Sequence, residues 1–342
     1  LEYQTWRKDF ILWRMLEDDK ISFDEYKKAL LDSIWFEFNE YRENIKYPHF
    51  VFYVKEYLTQ KYGEEILNEW WLKIYTTLDP KLQDKAMELV KNQVNDNFKK
   101  FDANNGAMIS MDNKTGDIVA FVGWADYFNK DIDGNVNMLT AKRQPGSTFK
   151  PFVYALAIDK NAISPHTPIY DLKTTFPGWR TPNNYNGKFE GKMTIMTALN
   201  HSRNIPAIKA YFLANMGNKV EINPIMLIKD SKGNIIEEKK NSSGTRVLDE
   251  KTAYIMNYTL SADYSRPSEF WNKNLTLKDR KAWAKTGTSN KEFKVNGKKQ
   301  ILPWDLWTAW YTPQYTTVVW IGNTNGKAIA GNGDGLNGAA PI

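Results

Sequence analysis

Apolar residues near the start of the chain recur at the spacing of an α-helix. In the segment YQTWRKDFILWRML they occupy every third or fourth position, at Trp6, Phe10, Trp13 and Leu16. This spacing places them on one face and predicts an amphipathic helix. Large aromatic side chains serve mainly in cores and interfaces, so we interpret this face as a packing surface rather than a ligand site.

Two further helices are predicted before residue 72 from their end signals. Ser22 and Glu25 are spaced as a capping box, which predicts a helix that continues through Ile34. In PHFVFYVKEYLTQKYG, Pro48 suits the first helical turn and Gly63 suits the residue after the last turn. Residues 1–71 are therefore predicted to form a helical region.

From residue 72 onward the pattern changes to short alternating runs. LKIYTTLD predicts a strand, after which Asp79 and Pro80 predict the start of a helix. GAMISMD and GDIVAFVG predict a hairpin, and three late segments predict antiparallel strands: KAWAKTGTS, LWTAWYT and YTTVVWIGN. Helices grouped between an early hairpin and late strands indicate an α+β domain over residues 72–342, with a central antiparallel sheet flanked by helices.

Composition narrows the chemistry open to the chain. Its 342 residues, of which 42% are hydrophobic and 25% charged, are typical of a globular protein. Because Cys is absent, disulfides, a thiolate nucleophile and Cys-ligated zinc are excluded. Three scattered histidines, His49, His166 and His201, do not predict a metal site. The net charge of +6 indicates a basic surface rather than nucleic-acid binding.

The segment RQPGSTFKPF contains the first candidate for catalysis. Lys150 follows Ser147 by three residues, so the two side chains share one face if the segment is helical. A nucleophilic serine needs a group that removes its proton, and a neutral lysine amine does so where burial or nearby positive charge lowers its pKa. One S-x-x-K motif is weak by itself, because a solvated Lys near a helix start has the same spacing.

Two further motifs follow along the chain. HSRNIP contains Ser202 and Asn204, which are also residue types that favour helix caps and turns. K-T-G occurs twice, at residues 114–116 and 285–287. The first copy lies between two predicted strands, where a hairpin turn explains it. The second lies within a predicted strand, and it alone follows the other two motifs.

In this order, S-x-x-K, S-x-N and K-T-G resemble the active-site motifs of penicillin-binding proteins and β-lactamases. The surrounding segments are similar to the transpeptidase domain of class A, bifunctional penicillin-binding proteins: GAMISMDNKTGDIVAFVG, RQPGSTFKPFVYALA, NYNGKFEGKMTIMTALNHSRNIPAIK, and the run from KTGTSN to YTTVVWIGN. IYTTLDPKLQ and YPHFVFYVKEYL are similar to the segments that join this domain to an upstream glycosyltransferase. The resemblance implies a penicillin-binding-protein/β-lactamase-like transpeptidase fold over residues 72–342 and a linker over residues 1–71.

The resemblance also implies a role for each motif residue. Ser147 is expected to be the nucleophile, and Lys150 the base that activates it. Ser202 is expected to relay the proton to the leaving amine, and Asn204 to orient Lys150 and bind the substrate amide. Lys285 is expected to lower the pKa of Lys150 and to attract the substrate carboxylate.

The remaining implied roles concern substrate binding. The hydroxyls of Thr286 and Thr288 are expected to hold the substrate carboxylate, and Gly287 to let the strand approach the substrate closely. Backbone N–H groups of Ser147 and Thr288 are expected to form the oxyanion hole. Since Lys150 fills the role of base, His201 is expected to pack or face solvent. No metal and no organic cofactor is implied.

The implied activity is that of a peptidoglycan D,D-transpeptidase, which cross-links stem peptides ending in D-Ala-D-Ala and is acylated by β-lactams. Other cell-wall synthesis proteins are expected partners, and nucleic acid is not. We expect an extracytoplasmic location, in the periplasm or on the outer face of the membrane. The N-terminal transmembrane anchor and the glycosyltransferase domain are expected to be absent from this sequence.

Alternative functions stay open at this stage. A D,D-carboxypeptidase or a β-lactamase-type hydrolase has the same motifs, although the sequence identifies no carboxylate of the kind that activates water in β-lactamases. A non-catalytic β-lactam sensor or scaffold is a third possibility.

Between Asn204 and Lys285 the chain has fewer residues than members of the family usually have. Either a true deletion or residues missing near Met216 to Val220 would explain this difference.

Overall fold

The computed structural model describes residues 2–31, 45–65, 72–128, 134–176, 182–213, 225–229, 234–238, 248–268, 275–277, 279–331 and 333–342. Its α-helices are α1 (Glu2–Glu17), α2 (Phe23–Leu31), α3 (Pro48–Tyr62), α4 (Pro80–Phe101), α5 (Lys150–Asp159), α6 (Ile195–Asn200), α7 (Asn204–Leu213) and α8 (Glu250–Leu260). Its strands are β1 (Lys73–Thr76), β2 (Asn105–Asp112), β3 (Ile118–Val122), β4 (Pro168–Asp171), β5 (Gly191–Thr194), β6 (Ile225–Lys229), β7 (Ile235–Glu238), β8 (Trp283–Val295), β9 (Lys298–Tyr311) and β10 (Tyr315–Gly322). The chain divides into two compact units, Leu1–Ile45 and Lys46–Ile342.

The smaller unit contains α1 and α2. The capping box that the sequence predicts is present: the Ser22 N–H donates to the Glu25 carboxylate over 2.8 Å, and the Glu25 N–H donates to Ser22 Oγ over 3.3 Å. The predicted end of this helix, at Ile34, lies outside the described residues. On α1, Trp6, Phe10 and Trp13 are exposed and contact one another along the helix, with Trp6 and Phe10 stacked at 5.7 Å.

The larger unit is built around a five-stranded sheet with the order β3-β2-β10-β9-β8. Every neighbouring pair in it is antiparallel. The predicted α+β class with a central antiparallel sheet is therefore confirmed. The strand β8, which contains the second K-T-G motif, forms one edge of this sheet.

The hairpin of β8 and β9 is longer than the sequence patterns predict. β8 continues past the K-T-G segment to Val295, and β9 begins at Lys298. Asn296 and Gly297 join them with φ angles of 50° and 76°, the combination of a tight hairpin turn whose twist matches the strands. The Asn-Gly pair was the available sequence signal for this extension.

Helices cover both faces of the sheet. On β9, Leu306 and Tyr311 are five residues apart and so point to opposite faces. Leu306 packs with Val90 and Val94 of α4. Tyr311 packs against a helical cluster formed by α5, α6, α7 and α8. This second layer carries two of the three motifs and places them beside β8.

Two smaller sheets and α3 complete the larger unit. β4 pairs with β5, and β1 pairs with β6, which pairs with β7. The predicted strand after residue 72 therefore belongs to a separate small sheet. Phe50 of α3 packs against Phe121 of β3. The domain boundary between residues 71 and 72 stays a prediction. In the described part of the chain, no helix combines the length and the apolarity needed to cross a membrane.

Candidate active site

Ser147 lies in a short 3₁₀ turn, Gly146–Phe149, directly before α5. Gly146 has a φ of +54°, and a Cβ atom there would lie 2.7 Å from the backbone carbonyl of Thr288. Only glycine combines this left-handed conformation with so close an approach. Upstream, the indole N–H of Trp307 donates to the Gln144 carbonyl over 2.8 Å. These two contacts hold the turn that carries Ser147 against β8 and β9.

Lys150 is the first residue of α5 and is buried. Its amine donates to Asn204 Oδ1 over 2.8 Å and to the backbone carbonyl of Ser202, and it lies 3.3 Å from Ser202 Oγ. Among the described residues the amine makes no hydrogen bond with Ser147 Oγ. Contacts between nucleophile and base are often long in sites without substrate and shorten when substrate binds.

Ser202 lies in the turn between α6 and α7, and Asn204 is the first residue of α7. Ser202 has a φ of +54°, an uncommon conformation for a residue with a side chain and one that concentrates at functional sites. This conformation turns its carbonyl towards Lys150. Its hydroxyl accepts a hydrogen bond from the Lys285 amine over 2.9 Å. The side-chain amide of Asn204 donates to the Asn183 carbonyl over 2.6 Å.

The second K-T-G motif lies on β8 and faces the other two. Lys285 is buried, and its amine also donates to the Thr286 carbonyl over 2.8 Å. At Gly287 a Cβ atom would lie 2.7 Å from the Pro145 carbonyl oxygen and 2.9 Å from the Thr148 nitrogen. The absence of a side chain at Gly287 therefore allows the turn carrying Ser147 to approach the strand.

The two threonines of this strand are half-buried. Thr288 Oγ1 accepts a hydrogen bond from the Gly335 N–H over 3.2 Å, which leaves its hydroxyl proton available as a donor. Because the Thr288 backbone contacts Gly146, the N–H groups of Ser147 and Thr288 belong to touching segments. Their joint use as an oxyanion hole, and the binding of a carboxylate by Thr286 and Thr288, stay predictions.

Burial and like charges depress the proton affinity of both site lysines. Burial, followed by the positive charges of Lys285 and Arg203, lowers the pKa of Lys150 well below its ordinary value, while the charge of Asp171 acts in the opposite direction. Burial, followed by the charge of Arg266, lowers the pKa of Lys285 to about 7. A neutral Lys150 amine has a free electron pair, which is the state that a general base requires.

The first K-T-G copy lies in the turn between β2 and β3. The side chains of Lys114 and Thr115 are exposed, and Asp112 Oδ1 accepts hydrogen bonds from both of their N–H groups, over 2.8 and 3.0 Å. Gly116 adopts a φ of +70°. This copy is therefore a turn motif, as the sequence predicts.

Several charged and polar residues close to the site were not assigned from the sequence. Asp171 and Arg203 are almost fully buried, and Asn184 lies between Asp171 and Asn204. Asn184 belongs to the Pro/Asn/Gly-rich segment before β5, which the sequence predicts only as a loop. Its partners are distant in the sequence, so no local pattern indicated its role. His201 contacts the Glu190 carboxylate over 2.8 Å. Within the described residues, no group of three or more His, Asp and Glu side chains is arranged to hold a metal ion.

The sequence and the fold are similar to those of known proteins. Residues 106–211 match the model of the penicillin-binding protein transpeptidase domain. The chain is 27% identical to penicillin-binding protein 1F of Bacillus subtilis, covering 92% of this chain and 49% of that protein. It is also 27% identical to penicillin-binding protein 1A of Neisseria gonorrhoeae, covering 69% of this chain and 34% of that protein. The chain thus spans half or less of the length of these relatives.

Solved structures support the fold. The crystal structure of penicillin-binding protein 1A from Haemophilus influenzae superposes with a TM-score of 0.70 at 18% identity, covering 100% of this chain and 75% of that one. PonA1 from Mycobacterium tuberculosis, solved in complex with penicillin V, gives a TM-score of 0.64 at 20% identity, covering 85% of this chain and 91% of that one. The chain therefore has the fold of penicillin-binding protein transpeptidase structures, and its residues 106–211 match the transpeptidase domain of that family.

Proposed function

We propose that the chain is a serine acyltransferase that cross-links peptidoglycan stem peptides and is acylated by β-lactams. The observation that carries this proposal is the buried Lys150 amine, three residues from Ser147 and hydrogen-bonded to Ser202 and Asn204. Burial, followed by neighbouring positive charges, lowers the pKa of this amine. A serine beside such an amine can be deprotonated near neutral pH. The β-lactam complex of a relative with the same fold supports the choice of acyl donor.

In the proposed reaction, Ser147 Oγ attacks the carbonyl carbon of the penultimate D-Ala, and its proton passes to Lys150. The peptide C–N bond then breaks, and the terminal D-Ala leaves with a proton relayed through Ser202. The amine of a second stem peptide attacks the acyl-enzyme, loses a proton by the reverse route and releases Ser147. Lys285 attracts the donor carboxylate, which Thr286 and Thr288 hold, and the backbone N–H groups of Ser147 and Thr288 stabilise the oxyanion.

This chemistry belongs outside the cytoplasmic membrane, where peptidoglycan is cross-linked, and other cell-wall synthesis proteins are the partners that we propose. Residues 72–342 form the catalytic domain in this proposal, and residues 1–71 form a junction. A β-lactam serves as a substitute for the donor peptide because its ring carbonyl is attacked by the same hydroxyl.

Intact-protein mass spectrometry after incubation with benzylpenicillin tests the proposal. We expect one stable adduct that maps to Ser147 and is absent from Ser147→Ala. Circular dichroism checks that Ser147→Ala is folded, so that loss of the adduct cannot be due to a general effect on the fold. Rapid release of hydrolysed nitrocefin, with no stable adduct, would replace the transpeptidase by a β-lactamase-type hydrolase. A stoichiometric adduct on Ser147→Ala would move the nucleophile elsewhere.

A further inference from the structure

Behind the motif residues lies a buried carboxylate, Asp171, at the end of β4. It is fully shielded from solvent. Both of its oxygens accept hydrogen bonds from the side-chain amide of Asn184, each over 2.9 Å, and the Glu190 N–H donates to it over 3.1 Å. A carboxylate is buried in this way only where hydrogen bonds and opposite charges compensate its lost hydration. Hydrogen bonds therefore hold the buried Asp171 carboxylate in place.

Asn184 connects this carboxylate to the motif residues. Its amide nitrogen donates to Asp171 and to the Lys188 carbonyl, so both donor protons are in use. Its amide oxygen accepts the N–H of Asn204 over 2.8 Å. Asn204 is the first residue of α7, and its side-chain oxygen accepts from Lys150. An uninterrupted series of hydrogen bonds thus runs from Asp171 through Asn184 and Asn204 to the Lys150 amine.

Buried cations surround the same series. Arg203 is 2% exposed, pairs with Glu190 and lies 3.9 Å from Asp171. The ionisable groups that act on Lys150 come from three elements, with Lys285 on β8, Arg203 before α7 and Asp171 on β4. A second set faces these groups: Glu190 and His201 beside Arg203, Arg266 near Lys285, and Tyr154 near Asp171. Asp171 is the negative charge among the three that act on Lys150 directly.

We propose that Asp171 and Asn184 are positioning residues for Lys150: Asn184 fixes Asn204 and through it the amine, and the charge of Asp171 offsets the cations around that amine. This inference rests on the proposed function, in which Lys150 is the base. In that role the amine needs both a fixed place and a proton affinity matched to neutral pH. Without the charge of Asp171, the cations would lower the proton affinity of the Lys150 amine further.

The charge is tested by the pH profile of acylation by benzylpenicillin. Acylation requires neutral Lys150, so its rate rises with pH through the pKa of that amine. Asp171→Asn keeps the shape but removes the negative charge, and we expect the midpoint of this rise to move to lower pH by about half a unit or more. Asp159→Asn is the matched control, because Asp159 accepts hydrogen bonds at the far end of α5, from Asp249 and Thr252. Its midpoint is expected to stay at the wild-type value.

The positioning is tested by Asn184→Ala, which breaks the link to Asn204 and retains the Asp171 charge. We expect the acylation rate constant at saturating benzylpenicillin to fall about tenfold, with the dissociation constant of the initial complex unchanged. A general weakening of the fold would change both the rate constant and the dissociation constant. An unchanged rate constant overturns the positioning role, and an unchanged midpoint in Asp171→Asn overturns the charge role. If Asp171→Asn does not fold, the charge role is withdrawn, and Asn184→Ala decides the positioning role.

A second readout separates this inference from the proposed function. Side-chain NMR of the isotope-labelled protein follows the titration of the Lys150 amine, whose signal is assigned by its absence in Lys150→Arg. Asp171→Asn is expected to lower the midpoint of this titration whether or not the protein is acylated. Failure of the wild type to form an adduct would refute the proposed function, whereas an unshifted Lys150 titration would refute the role of Asp171.

Discussion

The tripeptide K-T-G occurs twice in this chain and has two different structural roles. At residues 114–116 it forms an exposed turn between β2 and β3, with its N–H groups held by Asp112. At residues 285–287 it lies on the edge strand β8, with its lysine buried and hydrogen-bonded to Ser202. Identical residues thus belong to a local turn in one place and to the candidate active site in the other.

The difference lies in what surrounds each lysine. Lys114 lies in an exposed turn and projects into water. Burial and the nearby Arg266 lower the pKa of Lys285 to about 7, so its charge depends on pH in the neutral range. A short motif therefore indicates chemistry only where the fold buries it beside complementary groups. This contrast between the two copies can be tested residue by residue.

The largest contrast is expected between Lys285→Ala and Lys114→Ala. Removing Lys285 takes away the Ser202 donor and the positive charge that lowers the pKa of Lys150, so we expect acylation by benzylpenicillin to slow about 1000-fold. Lys114→Ala is expected to leave the rate unchanged. Time-resolved mass spectrometry of adduct formation measures both, and equal slowing of the two variants would contradict the distinction.

The next contrast is between Gly287→Ala and Gly116→Ala. A methyl group at Gly287 would collide with the backbone of Pro145 and Thr148, which we expect to cost about 3 kcal/mol of unfolding free energy and to slow acylation. At Gly116 the added methyl group meets no atom within 4 Å, and only the positive φ opposes it, at a cost of about 1 kcal/mol. Urea denaturation gives both values. Acylation at the wild-type rate by Gly287→Ala would show that the turn carrying Ser147 does not depend on this approach.

Local signals in the sequence predicted local structure well. Asp79 caps α4 by accepting the N–H groups of Lys81 and Leu82, as its position before Pro80 predicts. The turn role of residues 114–116 is another such case. In each of these the signal and the structure lie within four residues of one another, so the sequence contains the whole interaction.

Long-range structure was predictable only where the motifs marked it. Three ordered motifs predicted that residues 147, 202 and 285 meet, although no pattern of apolar residues required it. Asp171, Asn184 and Arg203 carried no such mark. Each is a common residue type, and its role depends on partners that are distant in the sequence. Arg203 and Asp171, for example, form an ion pair across 32 residues. Pairing of β1 with β6 was unpredictable for the same reason.

The pH dependence of stability gives a smaller contrast. The pKa of Lys285 is about 7 in the folded protein and near 10.5 when unfolded, so between these values the unfolded state binds more protons. The contribution of Lys285 to the free energy of unfolding therefore rises as pH increases from about 7 to 10.5. Below pH 7 the folded protein holds the buried amine in its charged form, so the destabilisation by this group is complete there. We expect Lys285→Met to be more stable than wild type at pH 6, by about 2 kcal/mol, with the gap closing towards pH 10. Lys114→Met, in the exposed copy of the motif, provides the control.

The smallest expected effect comes from a change at the turn copy of K-T-G, residues 114–116. Asp112→Ala removes the acceptor for the N–H groups of Lys114 and Thr115, which then depend on water. We expect a loss of about 1 kcal/mol in unfolding free energy, the net value of hydrogen bonds at an exposed turn. Acylation by benzylpenicillin is expected to proceed at the wild-type rate, because the turn lies at the far end of β2 from the strand residues that pair beside the site. Denaturation and adduct formation measured on the same preparation check both expectations. Slower acylation in Asp112→Ala would show that the turn copy of K-T-G influences the site through the sheet, and the two copies would then not be independent.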